Sequence, residues 1–263
     1  MPIRSLIICL TLCVIVTTRI SGADTCRTVH VFVALADNDH QGIIPVPAKL
    51  GDGEDPYNNL YWGAAYGLKT FFNRSSQWSM VSVAQHVRPD TVLEQCVFRH
   101  TTLPLCVIAH AYKGERIKQA VSDFFACVAG RKTPDISRAE DSSLVESGAF
   151  NPPDLVAYVG HDGLMDFNLP IDSLSADSTG RQVIILACVS KQFFGRHIRA
   201  LRADPVLWTT GLMAPEAYTL EAAIVAWADG KDRRVIRDEA ARAYDRYQHC
   251  GFEAAKRLLV TEQ

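Results

Sequence analysis

Two short runs, Leu155–Val159 (LVAYV) and Val183–Leu186 (VIIL), carry apolar or aromatic side chains at odd and even positions alike. Successive side chains of a β-strand point to opposite faces, so a strand apolar throughout has to be covered on both. That is the pattern of a central strand in a parallel sheet with helices above and below. Each run stops at a reactive side chain, His161 after the first and Cys188 after the second. Groups at the carboxyl ends of neighbouring parallel strands share one crevice, so an imidazole and a thiol distant in sequence meet there.

The remaining segments fit around such a sheet. The run TVHVFVALA from Thr28 has high β propensity and ends in the polar loop Asp37-Asn38-Asp39-His40-Gln41-Gly42, which marks it as a further central strand. Three extended runs between Gln77 and Ala111 read as more strands, their order left open. Asp55-Pro56 reads as a cap followed by proline at the first helical position, with Leu60, Gly63, Ala64, Gly67, Leu68 and Phe71 on one face and the two glycines letting a helix approach a sheet closely. A helix from Gly114 would bury Ile117, Val121, Phe124, Phe125 and Val128, and a helix follows Cys188. After a short strand, PVLWTTG, one helix carries Leu220, Ala223, Ile224 and Trp227, and two more cover Arg233–Gln248 and Phe252–Leu259. The expectation is an α/β fold, an αβα three-layer sandwich with a mainly parallel central sheet containing Thr28–Ala34, Leu155–Val159 and Val183–Leu186.

With 48% apolar and 21% charged residues in 263, the chain has enough core for one such domain over residues 24–263. Residues 1–23 read as a signal peptide: Arg4, an apolar core from Leu6 to Val16, then Ser21 and Ala23 in the small-residue spacing of a cleavage site. An uncleaved anchor is the rival reading, against which stand the short apolar core and Arg19. Cleavage implies an extracytoplasmic protein, periplasmic or secreted, with no remaining membrane attachment. Losing Arg4 and Arg19 and no acid moves the formal charge from −2 to about −4, and nothing in it suggests a nucleic-acid partner, so none is expected. The basic residues of 233–246 alternate with acids, as on a solvated helix face. Residues 131–153 are polar and Ser-rich, a surface loop open to nicking.

No CxxC pair occurs and no zinc spacing is present, so no metal and no cofactor is expected. Asp52, Glu54 and Asp55 lack an EF-hand pattern, and a capped, solvated turn accounts for them without calcium. Export permits disulfides, and the pairing among Cys26, Cys96, Cys106, Cys127 and Cys250 is left open if Cys188 is free.

The segments Gly160-His161 and Ala187-Cys188-Val189-Ser190, each after an apolar strand, together with WTTGLMAPEAY, resemble the caspase-like cysteine peptidases: legumains, gingipains, clostripain, metacaspases and caspases. The resemblance spans residues 28–230 in element order, while the motif match is confined to those three segments. Asp162 stands where that family usually has Gly, Lys191 where a Gly often follows the cysteine motif, and Leu186 where an acidic or polar residue is common. The resemblance implies a catalytic dyad of His161 and Cys188. It also implies that the loop after the first strand lines the pocket for the residue before the cut, so that Asp37, Asp39 and His40, with Thr210 from the third segment, would bind substrate and the acids would select Arg or Lys.

The chemistry of the pair supports that role independently. A neighbouring imidazole takes the proton of a thiol and later returns it to the leaving amine, and backbone N–H groups at Gly163 and Cys188 would hold the tetrahedral oxyanion. Two functions follow as expectations: an exported cysteine endopeptidase acting on a peptide or protein substrate, or a non-catalytic protein of the same fold that binds a peptide or partner in the same crevice.

Overall fold

Eight strands form the sheet: β1 (Arg27–Ala34), β2 (Trp78–Arg88), β3 (Val92–His100), β4 (Leu105–Tyr112), β5 (Leu155–Val159), β6 (Gln182–Leu186), β7 (Asp204–Thr209) and β8 (Leu259–Val260). These come from a computed structural model that describes residues 26–88, 90–131, 152–170 and 180–261. The leader reading for residues 1–23 and most of the 131–153 loop lie outside the described residues. The spatial order is β2-β3-β4-β1-β5-β6-β7-β8. The five strands β4, β1, β5, β6 and β7 pair in parallel, and β2, β3 and β8 join antiparallel at the two sides. The three runs of uncertain order are thus a meander, β2-β3-β4, laid to one side of β1.

From β4 the chain crosses through α2 (Ile117–Val128) to β5 on the opposite side of β1. Loops leaving β1 and β5 therefore diverge, and a crevice opens at their carboxyl ends.

The alternation of side chains divides the core in two. Val29, Val31 and Val33 of β1, Ala157 and Val159 of β5, and Ile184 and Leu186 of β6 pack against α1 (Leu68–Arg74), α4 (Ala217–Ala228) and α5 (Arg233–Gln248). Phe32, Ala34, Val156, Tyr158, Val183 and Ile185 face α2 and α3 (Ser190–Ala200). Each buried Val, Ile or Leu contributes about 1.5–3 kcal/mol, so burial on both faces makes β5 and β6 the centre of the core. A last helix, α6 (Phe252–Leu258), buries Ala255 in the first core. No helix among the described residues is long and apolar enough to cross a membrane.

One expected helix is largely missing. Residues 56–67 form successive turns, and only Leu68–Arg74 is helical. The Asp55 carboxylate does receive the N–H groups of Tyr57 and Asn58, at 2.9 and 3.3 Å, but Asn59 is diverted. Its side chain accepts from Ala36 N–H at 3.0 Å and donates to Ala36 O at 2.8 Å, clamping the segment to the end of β1. The glycines serve these turns rather than a helix–sheet contact: a Cβ on Gly63 would lie 2.1 Å from Tyr57 O, and one on Gly67 would lie 2.5 Å from the Trp62 carbonyl carbon.

Cys26 and Cys106 form a disulfide at the amino-terminal ends of β1 and β4, while Cys96, Cys127, Cys188 and Cys250 are free.

Candidate functional site

Parallel pairing of β5 with β6 sets Val159 opposite Leu186, and the N–H of Gly160 continues the ladder by donating to Leu186 O at 3.2 Å. Two residues beyond that pair on each strand stand His161 and Cys188, level in the register, where adjacent strands run about 4.8 Å apart. Both border one cavity of about 280 Å³.

The glycine before the histidine is required by backbone geometry. Gly160 adopts φ +145°, and a Cβ there would come within 2.9 Å of Ala34 O on the neighbouring strand. That conformation turns the chain out of the sheet and over the end of β1. Tyr158 fixes the next residue by donating from its hydroxyl to His161 O at 2.8 Å. The ring of His161 is 7% exposed, and its Nε2 lies 2.7 Å from Asp166 Oδ2. Asp166 in turn receives the N–H of Gly42 at 3.1 Å, so the imidazole is oriented by a carboxylate shared with the loop after β1.

Cys188 occupies the turn between β6 and α3. The residue after it, Val189, sits at φ 51°, ψ 30°, a left-handed conformation that costs a β-branched residue on the order of 1–3 kcal/mol. The turn is held by the surroundings of Ser190. Its Oγ donates to Ile185 O at 2.9 Å and accepts from Thr209 N–H at 3.0 Å, while its own N–H donates to Thr209 Oγ1 at 3.1 Å. Val189 N–H adds a bond to Gly211 O at 2.9 Å. Ser190 is thus a buried structural tie that joins β6, α3 and β7. The thiol itself faces residue 213: Sγ receives Met213 N–H at 3.4 Å and lies 3.6 Å from Met213 O.

Around the two reactive groups the cavity walls are apolar, formed by Ile43, Val46, Leu60, Tyr61, Met213 and Pro215. The Tyr61 hydroxyl titrates well above the ordinary tyrosine range, chiefly through burial and then through the charge of Cys188. A larger cavity, about 700 Å³, opens between the end of β3 and helices α4 and α5, lined in part by Glu221, Lys231, Glu239, Arg242 and Arg246. Neither reactive group borders it, so size does not identify the site here.

Other residues named from sequence are placed elsewhere. Asp37 is buried, its Oδ1 accepting the N–H groups of Asp39 and His40 at 3.0 and 3.1 Å, with the His40 ring 3.0 Å from Oδ2. It is enclosed by Gly53 and Gly114, where a Cβ would fall 2.2 and 2.3 Å from its side chain. The same hydrogen bond raises the pKa of His40. Asp37, Asp39 and His40 hold the loop's shape and do not border the cavity. Thr210 donates from Oγ1 to Arg257 O at 2.7 Å, also outside it. The N–H of Gly163 is committed to His161 O at 3.0 Å within its turn. Among the described residues the N–H groups of Asp162 and Cys188 have no hydrogen-bond partner, but Asp162 is fully buried and does not border the cavity, so of the two only Cys188 belongs to its lining. Asp166 was missed from sequence: its only local signal is a carboxylate five residues beyond His161, which many turns contain.

Asp162 directs its side chain inward. The carboxyl is fully buried, accepts Leu164 N–H at 3.0 Å through Oδ1 and leaves Oδ2 unpartnered. Burial first, and the nearby charge of Asp166 second, push its pKa up to about 7. An exposed aspartate titrates near 3.9, so between about pH 4 and 7 the folded state binds more protons than the unfolded chain. Stability contributed by Asp162 is therefore full below pH 4 and declines as pH rises to 7, by about 4 kcal/mol at most. In urea titrations, Asp162→Asn should flatten the fall in stability between pH 5 and pH 8; an unchanged slope would rule out this assignment.

The fold and this geometry define an α/β protein with a carboxylate-oriented histidine and a free cysteine at the carboxyl ends of adjacent parallel strands. No protein-family model matches the chain, and no curated protein or solved structure matches it. No group of three or more His, Cys, Asp or Glu side chains suited to a metal ion occurs among the described residues.

Proposed function

We propose that the chain is an exported cysteine endopeptidase of caspase-like fold, with Cys188 as nucleophile, His161 as base and acid, and Asp166 as the residue that orients His161. The observation that carries this reading is a histidine tied by Nε2 to Asp166 while bordering the same cavity as a free thiol. The Asp166 bond favours the Nε2–H tautomer and leaves Nδ1 to exchange a proton. In the reaction, the thiol proton passes to Nδ1 and sulfur attacks the peptide carbonyl, whose oxygen takes the N–H group of Cys188. The imidazolium returns its proton to the amine as the C–N bond breaks. Water, deprotonated by the imidazole, then opens the thioester, releasing the acid and restoring the thiol. Export is supported by the leader pattern of residues 1–23 and by the Cys26–Cys106 disulfide, a bond suited to an oxidising compartment.

A non-catalytic caspase-fold protein that binds a peptide in this crevice is favoured by one feature, the engagement of Sγ by the backbone of Met213. Iodoacetamide labelling of the mature protein near neutral pH separates the two. Catalysis predicts that Cys188 reacts faster than the more exposed Cys250, that the advantage falls in His161→Ala, and that a peptide library is cleaved by wild type and not by Cys188→Ala. Slower labelling of Cys188 than of Cys250, with no cleavage, would establish the non-catalytic reading.

A further inference from the structure

We infer that the cavity beside Cys188 receives an uncharged apolar side chain, of Leu, Met or Phe size, on the residue that donates the attacked carbonyl. The inference rests on the hydrolytic reading for what happens next to the cavity, and on the cavity walls for what enters it.

A carbonyl carbon must approach Sγ to about 3–3.5 Å, with its oxygen towards the N–H group of Cys188. The side chain of that residue then lies within one residue's reach of sulfur, where the 280 Å³ cavity opens. Drug-sized ligands occupy about 300–1,000 Å³, so this space suits one large side chain rather than an extended small molecule. No carboxylate or cationic side chain belongs to its walls apart from His161. Of the acids in the loop after β1, Asp37 is buried with both carboxylate oxygens hydrogen-bonded at its own turn, and Asp39 does not border the cavity. A Lys or Arg side chain entering here would lose its hydration and find only Asp166, behind His161, whose Oδ2 already holds His161 Nε2 and the N–H of Gly42.

A second observation points the same way. Six large hydrophobic side chains stand exposed among the described residues, and three of them, Ile44 at 81%, Leu212 at 68% and Met165 at 45%, belong to this cavity. They come from three loops, after β1, β5 and β7, and converge on one mouth. Apolar surface gathered at the entrance of an apolar cleft is surface that an apolar substrate group would cover.

The test uses acetyl-Ala-Ala-X-aminomethylcoumarin amides with X as Leu, Met, Phe, Ala, Lys or Asp. Leu, Met and Phe are expected to exceed Ala by roughly tenfold to a hundredfold in kcat/KM, with Lys and Asp at or below Ala. Ile44→Glu, at an exposed rim position that leaves the core intact, should reduce the Leu to Lys ratio at least tenfold. In parallel, Cys188→Ala is titrated with the Leu and Lys amides by calorimetry, which reads occupancy without chemistry. Cleavage with Lys preferred over Leu overturns the inference and leaves the hydrolase reading standing. Absence of cleavage with tighter binding of the Leu amide by Cys188→Ala upholds the cavity and removes the hydrolase. The absence of both cleavage and preferential binding of the Leu amide overturns the inference.

Discussion

His161→Ala is expected to lower kcat/KM by about 10³-fold, within the 10²–10⁴ that a positioned general acid and base contributes. Asp166→Asn is expected to cost less, about a hundredfold. In a Ser-His-Asp triad with a buried aspartate the corresponding change costs about 10⁴, because the amide stabilises the wrong imidazole tautomer. Asp166 is 37% exposed, so water shares the task of holding the Nε2–H, and the loss shrinks accordingly. The decrease should fall on kcat with KM nearly unchanged, since Asp166 acts through His161. The bond from a neutral imidazole to Asp166 is one hydrogen bond, about 0.5–1.5 kcal/mol, so the melting temperature of Asp166→Asn should fall by only about 2–5 °C. Equal rates in wild type and both variants would show that the histidine takes no part in the reaction.

Breaking the Cys26–Cys106 disulfide should have the largest effect on stability. The bond closes a sequence separation of 80 residues, and chain-entropy arguments assign such a loop about 4.5 kcal/mol. It joins the start of β1 to the start of β4, so the loop contains the whole β2-β3 meander and the turns over the site. Cys26→Ser/Cys106→Ser should lower the urea midpoint markedly and raise the slope of the transition, because the uncrosslinked unfolded chain exposes more surface. Cys250→Ser, which removes an exposed free thiol, serves as the control and should leave both unchanged. A double variant with the wild-type midpoint would show that the bond contributes nothing.

The strands were legible because burial on both faces leaves a mark in every residue of the run. LVAYV and VIIL have no polar position, and β1 alternates two valine-rich and aromatic sets that the structure divides between two cores. The segment 56–67 was misread for a reason equally local. An aspartate, a proline and apolar residues at helical spacing describe a helix start, yet Asn59 has a better partner in the backbone of Ala36, 23 residues away. Competition between a local helix and a distant hydrogen bond cannot be scored from spacing alone.

What the sequence determined by itself is whatever depends on neighbours along the chain: the two-faced strands, the reactive side chains at their ends, and the glycine before His161. Runs apolar on both faces carry no alternation to fix a register, so the pairing of Val159 with Leu186 that sets His161 and Cys188 level is a feature of the tertiary structure. Only the tertiary structure decided how they are equipped. The carboxylate on His161, the backbone of residue 213 on the thiol and the apolar walls come from loops after β1, β5 and β7. The acids expected to select a basic side chain show the same division. Asp37 is a loop carboxylate in sequence, and in three dimensions its oxygens are already taken by Asp39 and His40 before any substrate arrives. A side chain's residue type fixes what it can bond, but the path of distant loops decides which partner reaches it first.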